Sequence, residues 1–371
     1  MKEMSAEELK NRLQSGDPVA VVDIRELSEF EDWHIHGSTN LPLYDALKQG
    51  RESVGEELKR IPNDRPLVAV CNRGNTSKAA AEILESMGYD AFSLAGGIQG
   101  WSGVWSEAKV PIRGVKDATC IQIRRNGKGC LSYLFGSAGE AAVVDPCVDT
   151  SAYKNIAERE RMKITKVIET HVHADHVSRA RALSEETGAT LHFYQSDRVQ
   201  FEYTPMGNGD KLRVGNLTAE VIATPGHTAD SVCLLIEGEV LISGDTMFIE
   251  GVGRPDLEEG DAGSETGATD LYNSLHGKVL NLAGTIQVCP GHYGKPIGFD
   301  GIPVAAPLAE LRSKLEILNM DEASFVKTVV GGLGAKPPNF TRIIAINEGK
   351  AELGPLDPLE LEAGPNRCAV K

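Results

Sequence analysis

The chain has 371 residues, which is too long for one ordinary hydrophobic core and about right for two domains. Hydrophobic residues make up 41% of it and charged residues 25%, as in globular proteins, and no apolar stretch approaches the roughly 20 residues of a membrane span. The net charge of −15 argues against a nucleic-acid partner, because phosphate binding depends on clusters of Lys and Arg that are not found here.

The first residues, MKEMSAEELKNRLQSGD, predict an amphipathic helix rather than a secretory signal, because a basic start, an apolar middle and a cleavage site are missing. We therefore expect a cytoplasmic protein. The seven cysteines are an odd number, are widely scattered and include no CxxC pair. This pattern argues against a disulfide framework or a structural zinc knuckle and favours a single reactive thiol.

Cys71 is the candidate for that thiol. LVAVC at 67–71 predicts a strand and Ser77–Gly88 predicts a helix, so Cys71 begins the loop between them. Backbone N–H groups and the positive end of the helix dipole favour a thiolate at this position, and a thiolate can attack and hold a sulfur atom. Alternatively, Cys71 packs like a small hydrophobe at the end of a strand. The local pattern does not decide between the two.

Three separated blocks around this cysteine resemble the rhodanese family. VVDIRELSEFEDWHIHGSTNLP at 21–42 and FSLAGGIQGW at 92–101 are similar to the family's opening and closing segments, and CNRGNTS is similar to its cysteine loop. The resemblance covers residues 5–105 and implies an α/β domain in which Cys71 carries a transferable sulfur as a persulfide. Arg73 in the loop is a candidate substrate contact. The chain has Thr76 where the family often has Arg, so the sulfur donor and acceptor stay open.

A domain boundary is predicted in the segment EAKVPIRGVKDA, because this segment shows no clear hydrophobic periodicity. We place the first domain at 1–108, a linker at 109–117 and the second domain at 118–371. In the second domain, strands are predicted at 118–123, 131–135, 141–145, 219–223, 232–236 and 240–243, and a helix is predicted at 177–187. The tail from Gly354 carries no chemistry that the sequence reveals. Six cysteines are interpreted as structural: Cys120, Cys130, Cys147, Cys233, Cys289 and Cys368.

Five of the nine histidines fall in three short contexts, THVHADH at 170–176, TPGHT at 224–228 and CPGHYG at 289–294. Each single histidine is more often an ordinary hydrogen-bonded residue than a ligand, but this clustering, with two aspartates close by, predicts a metal site. The seven donor side chains are His171, His173, Asp175, His176, His227, Asp245 and His292.

This pattern resembles the metallo-β-lactamase superfamily over about residues 116–350 and implies an αββα sandwich with metal at one sheet edge. Two chemistries are compatible with the resemblance. A dinuclear zinc hydrolase similar to glyoxalase II would share all seven donors between two metals. An iron dioxygenase would use His171, His227 and Asp245 alone. Counting ligands does not decide between these alternatives.

Further segments resemble the persulfide dioxygenases, a group often joined to rhodanese domains: GVGRPDL at 251–257, LYNSLHGKVLNL at 271–282 and PPNFTRIIAINEG at 337–349. This resemblance implies one Fe(II) per chain and oxidation of a small thiol persulfide by O₂ to sulfite and free thiol. Two histidines and one carboxylate leave open positions on Fe(II) for both sulfur and O₂. Outer-shell roles that orient ligands and waters are then expected for His173, Asp175, His176 and His292.

Two further residues are predicted to bind substrate. The guanidinium of Arg254 can pair with a carboxylate or phosphate on the thiol carrier, although a surface salt bridge is the alternative. Tyr293, directly after His292, is the second. The expected partners are a thiol persulfide, thiosulfate or sulfite, and O₂, and the sequence leaves a homo-oligomer open. The alternative function is a dinuclear zinc thioester hydrolase with an attached sulfur-carrying or persulfide-sensing rhodanese domain.

Overall fold

The fold is described from a computed structural model, which covers residues 2–49, 61, 63–258, 260–364 and 366–370. In this part of the chain the strands form two α/β domains, one around a five-stranded sheet and one around a seven-stranded and a six-stranded sheet. None of the helices described is long and apolar enough to cross a membrane.

The first domain is a parallel sheet with the strand order β1-β5-β4-β2-β3. Its strands are β1 Lys2–Met4, β2 Ala20–Asp23, β3 Thr39–Asn40, β4 Leu67–Val70 and β5 Ala91–Leu94, and its helices are α1 Ala6–Ser15, α2 Leu27–Asp32, α3 Tyr44–Gln49, α4 Thr76–Ser86 and α5 Gly97–Trp101. Every residue of β4 is buried, because a central parallel strand is covered on both faces. Cys71 follows β4 directly, so the loop with the candidate thiol leaves the middle of the sheet.

The second domain is an αββα sandwich, as the sequence predicted. The first sheet has the order β12-β11-β10-β9-β8-β7-β6 and the second β13-β14-β15-β16-β18-β19. A shared core between the sheets includes Phe135 and Val144 of one and Leu234 and Ile242 of the other. The strands are β6 Ser106–Lys109, β7 Thr119–Arg125, β8 Cys130–Ser137, β9 Glu140–Val144, β10 Lys163–Ile168, β11 Thr190–Tyr194, β12 Thr204–Met206, β13 Lys211–Val214, β14 Leu217–Ala223, β15 Val232–Ile236, β16 Val240–Gly244, β17 Val252–Gly253, β18 Gln287–Pro290, β19 Ala306–Pro307 and β20 Ala369–Val370.

Helices cover both outer faces of the sandwich. They are α6 Thr150–Arg159, α7 Ala180–Thr187, α8 Ser264–Gly277, α9 Leu308–Lys314, α10 Glu322–Gly331, α11 Phe340–Asn347 and α12 Pro358–Leu361. Tyr153 and Leu183 pack on the first sheet, whereas Leu271 and Phe325 pack on the second. The four layers that result match the predicted fold class.

The site-bearing loops meet at one edge of the second sheet. Strands β14 and β16 are both antiparallel to β15, and β18 is parallel to β16, so these three strands run in the same direction. Their carboxyl ends therefore lie side by side. The loops that follow them contain His227, Asp245 and His292, and the loop after β10 brings His171 from the first sheet.

The two domains are in direct contact. Strand β6 pairs with β7, so the second domain's sheet begins at Ser106, inside the range predicted for the first domain. Apart from this strand, the end of the first domain at 108 and the start of the second at 118 stay predictions. The ring of Trp33 lies 5.8 Å from that of Tyr293, and Nε of Arg125 donates to the carbonyl of Ser102 at 2.7 Å. The first domain thus packs against the residue that follows His292.

Candidate metal centre

Three buried side chains converge at the sheet edge. Donor atoms of His171, His227 and Asp245 all lie within 4.8 Å of one another. Oδ2 of Asp245 is 3.8 Å from Nε2 of His171 and 3.6 Å from Nε2 of His227. The structure thus brings together the three residues that the iron alternative requires.

Hydrogen bonds orient both imidazoles. Nδ1 of His227 donates to the carbonyl of Arg254 at 2.7 Å. Nδ1 of His171 lies 2.8 Å from Oγ1 of Thr170, which itself donates to Oδ2 of Asp145 at 2.8 Å and so accepts from the histidine. Each Nε2 therefore presents a lone pair to the site. Burial lowers the pKa of both His171 and His227, which keeps these rings neutral and able to bind a metal.

The site fits a divalent cation. Nε2 of His227 and Oδ2 of Asp245 are buried and have no hydrogen-bond partner among the residues that the structure describes. Buried polar atoms of this kind are costly unless something satisfies them. A metal ion between the two imidazoles and the carboxylate would satisfy both. Two nitrogen ligands and one oxygen ligand suit iron or zinc.

A second group of donors is hydrogen-bonded in part within itself, whereas Nε2 of His176 is buried and has no hydrogen-bond partner among the described residues. His292 lies between two carboxylates, with Nδ1 2.6 Å from Oδ1 of Asp245 and Nε2 3.0 Å from Oδ2 of Asp175. Burial disfavours charge on His292, but the two carboxylates outweigh it and hold its pKa well above the usual value. Asp175 also accepts from Nδ1 of His176 at 3.0 Å. His292 therefore acts as a donor that positions Asp245.

Cys130 and Cys368 belong to this surrounding layer, and the sequence interpretation missed both. Sγ of Cys130 donates to Oδ2 of Asp175 at 3.2 Å, and burial raises the pKa of this thiol to about 12. Cys368 has its sulfur within 4.8 Å of donor atoms of Asp245 and His292. No motif surrounds either cysteine. Their positions follow from a bridge between Cys130 and His292 and from a backbone hydrogen bond between Arg254 and Cys368, which local patterns do not reveal.

Arg254, which was predicted to bind substrate, is held in place by other parts of the protein. Arg254 is buried, and its side chain pairs with Asp256 through Nε at 2.7 Å and Nη2 at 3.0 Å. Its remaining N–H groups donate at 2.9 Å to the carbonyls of Gly334, Ala335 and Arg367. All five N–H groups are thereby used. Arg254 holds the tail against the loop that follows β17 and also lines the cavity beside His292, so its role in substrate binding stays a prediction.

A cavity of about 340 Å³ opens beside the site. It is lined in part by Phe248, His292, Tyr293 and Arg367. The hydroxyl of Tyr293 donates to the carbonyl of Arg125 at 3.2 Å, so this group stabilises the wall. A role for the Tyr293 ring in substrate binding stays a prediction.

The thiol of Cys71 is held at the start of α4. Its sulfur is buried and lies 3.3 Å from both the backbone nitrogen and the hydroxyl of Ser77. The N–H groups of Ile98 and Gln99 donate to the carbonyls of Cys71 and Asn72 at 2.9 and 3.0 Å and fix the loop. Donors at a helix start favour negative charge on sulfur.

Arg73 is exposed in the same loop. It lines a second cavity, of about 320 Å³, together with Gln99 of the first domain and Gly127 and Gly364 of the second. Arg73 is therefore placed to meet a ligand between the domains, and its role stays a prediction. Thr76 begins α4 and is half-buried.

Comparisons with known proteins match both halves of the chain. Residues 5–103 match the rhodanese-like domain, and residues 125–292 match the metallo-beta-lactamase superfamily. A hydroxyacylglutathione hydrolase of Anaeromyxobacter dehalogenans is 30% identical over 256 residues, which are 67% of this chain and 94% of that protein. The mitochondrial persulfide dioxygenase ETHE1 of Mus musculus is 30% identical over 172 residues, which are 44% of this chain and 65% of that enzyme.

Solved structures agree with these matches. The crystal structure of ETHE1 from Myxococcus xanthus aligns with a TM-score of 0.53 and 27% identity over 62% of this chain and 98% of that one. A metallo-beta-lactamase from Staphylococcus aureus aligns with a TM-score of 0.57 and 28% identity over 64% of this chain and 74% of that one.

Proposed function

The chain belongs to the metallo-β-lactamase superfamily and carries a rhodanese-like domain at its N-terminus, and from this basis we propose that it is a persulfide dioxygenase with sulfurtransferase activity. The reaction is R–S–SH + O₂ + H₂O → R–SH + SO₃²⁻ + 2 H⁺. The terminal sulfur is oxidised and dioxygen is reduced. The observation that carries the proposal is the group of three converging donors with two unsatisfied atoms.

One Fe(II) ion per chain is the proposed cofactor, held by His171, His227 and Asp245. When bound, it supplies redox chemistry toward O₂ and open positions for O₂ and sulfur. The protein's own part is to orient the two imidazoles through Thr170 and the Arg254 carbonyl. Buried side chains, among them Phe248, limit the access of water.

Asp245 is proposed as the ligand whose position the surrounding layer controls. His292 donates to one oxygen of its carboxylate and leaves the other for the metal. Asp175 fixes the opposite side of the His292 ring. The cavity of about 340 Å³ beside His292 would receive the thiol carrier.

The rhodanese-like half is proposed to move sulfane sulfur through Cys71. Thiosulfate and the Cys71 thiolate would give the Cys71 persulfide and sulfite, with the S–S bond to sulfite broken and a new one formed. A small thiol then takes the sulfur, which yields R–S–SH for the other half and restores Cys71. The reverse sequence would convert persulfide and sulfite into thiosulfate.

The test is to follow O₂ uptake and sulfite release with several small persulfides, alongside the iron content. We expect about one sulfite per O₂ and one iron per chain in active protein, by the stoichiometry above and the three-ligand site. His227→Ala should lose iron and O₂ uptake together. Active protein without iron, or full turnover without O₂, would disprove the proposal.

A dinuclear zinc thioester hydrolase is the second candidate. The similarity to a hydroxyacylglutathione hydrolase over 94% of that protein favours it, and so does the presence of all seven donors. Three results together would support this alternative: about two zinc ions per chain, thioester hydrolysis and no O₂ uptake.

A further inference from the structure

His173 lies two positions after His171, yet its ring is held elsewhere. Its Nε2 is 2.9 Å from Oε2 of Glu169 and 3.3 Å from Oδ1 of Asp145. Because carboxylates at neutral pH only accept, Nε2 carries the proton and donates it. Within the described chain, the convergent donor group at the metal centre does not include His173. His173 is therefore anchored outside the set of ligands.

Glu169 is itself fixed in position. It is buried, and Oε1 accepts a hydrogen bond from the hydroxyl of Ser178. The backbone N–H of Ser178 donates to Oδ1 of Asn347 at 2.9 Å, and Nδ2 of Asn347 donates to the carbonyl of His173 at 2.9 Å. One network thus holds both the carboxylate and the backbone of the histidine. The ring cannot turn toward the metal without losing its contact with Glu169.

The two carboxylates near His173 differ in what else they touch. Asp145 also accepts from the backbone N–H and the hydroxyl of Thr170, at 2.7 and 2.8 Å, and Thr170 orients His171. Glu169 contacts His173 without any such link to His171. Removing Glu169 would therefore take away the shorter of the two contacts, leave His173 with only the 3.3 Å contact to Asp145, and keep the orientation of His171 intact.

His173 has a second ring nitrogen that can bind a metal ion. Its Nδ1 is buried and, in the described part of the chain, has no hydrogen-bond partner. A released ring could bring this atom to the metal as a fourth protein ligand. Four protein ligands make the closed tetrahedral site typical of structural zinc, whereas two histidines and one carboxylate leave open positions on Fe(II).

We propose that Glu169 is a positioning residue that keeps His173 out of the ligand set and so limits the site to three protein ligands. The inference rests on the proposed function, because it assumes a metal at His171, His227 and Asp245. Glu169 thereby favours an open iron site over a closed zinc site. This makes it a determinant of metal choice without contact with the metal.

The test uses the full chain freed of metal, with Co(II) as a spectroscopic probe and no activity assay. Glu169→Leu should convert the weak visible absorption of a five- or six-coordinate site into the intense absorption of a tetrahedral one. Competition between Zn(II) and Fe(II) should shift toward zinc by roughly tenfold, the scale of outer-shell effects on metal affinity. Glu169→Gln keeps an acceptor oxygen and should retain the parental spectrum.

The matched control is the double variant Glu169→Leu with His173→Ala, which should return to the parental spectrum because the fourth ligand is gone. An unchanged spectrum and metal preference in Glu169→Leu would overturn the inference. His173→Ala alone tests it independently of how Glu169→Leu folds. It should keep the parental cobalt spectrum, and a loss of cobalt as large as that of His171→Ala would show that His173 already binds metal.

The two proposals fail separately. If the parental protein takes up no O₂ but Glu169→Leu shifts the cobalt spectrum, the proposed function fails and the role of Glu169 stands. If the parental protein uses iron and O₂ but the spectrum does not shift, only the role of Glu169 fails.

Discussion

Replacing Glu362 with glutamine should destabilise the contacts of the C-terminal tail with both domains and with the loop that contains His171. Its carboxylate is fully buried, with Oε2 2.6 Å from Nη2 of Arg125 and Oε1 3.0 Å from Nη2 of Arg179. The backbone N–H of Val177, in the loop that follows His171, donates to Oε1 at 2.9 Å. Arg125 also donates to a carbonyl of the first domain. The Glu362 side chain thus connects the tail to the loop that contains Val177 and, through Arg125, to the first domain.

The size of the effect follows from burial. Removing one partner of a buried ion pair costs about 3–5 kcal/mol, because the other charge is left uncompensated. Glutamine keeps an acceptor for Val177, so we expect about 3 kcal/mol, the lower end of that range. Domain stabilities are about 5–15 kcal/mol, so this loss is readily measured.

The pH dependence gives an independent check. Burial acts to raise the pKa of Glu362, but Arg125 and Arg179 outweigh it and hold the pKa below its usual 4.5. The unfolded chain therefore binds the proton first as the pH falls below about 4.5. The stabilisation by this carboxylate is complete at neutral pH and is lost as the pH falls further, through the folded pKa.

The assay is urea unfolding followed by fluorescence at pH 7 and at several lower values. The urea midpoint of the first unfolding transition is compared between parental protein and variant, because two domains need not unfold together. The variant should unfold at lower urea at pH 7, and the difference should shrink below about pH 4.5. Glu186→Gln is the control, since its pair with Lys154 is exposed and screened by solvent, and its loss should shift the midpoint much less. Equal midpoints at pH 7, or a difference that does not change with pH, would refute the reasoning.

Three further predictions concern the sites. Asp245→Asn should lower iron affinity by more than about 100-fold, the upper end of outer-shell effects, and equal iron content by mass spectrometry would contradict its role as a ligand. Arg254→Lys should destabilise the protein by about 1–3 kcal/mol through lost hydrogen bonds. A large rise in the KM for persulfide would support Arg254 as a substrate contact, and an unchanged KM would assign it a purely structural role. Cys71→Ser should abolish sulfur transfer from thiosulfate to a thiol but leave O₂ uptake with preformed persulfide unchanged, and transfer at the parental rate would exclude Cys71 as the carrier.

Local patterns predicted several elements well and failed where distant contacts intervene. Strand β15 has the predicted bounds, 232–236, because its apolar run pairs on both sides. The helix predicted from Val177 begins only at Ala180. The N–H groups of Val177 and Ser178 donate instead to Glu362 and Asn347, and Ser178 Oγ accepts from the N–H of Ala180. The start of that helix depends on residues more than 150 positions away, and no local pattern contains them.

The sequence by itself determined the two α/β domains and the donors at strand ends, because apolar runs and their following polar residues are local properties of the chain. Only the tertiary structure shows which of the seven donors lie together. It places His171, His227 and Asp245 together, engages His292 with two carboxylates and anchors His173 on Glu169. The physical reason is that a side chain's role depends on its hydrogen-bond partners, which here come from different strands and loops.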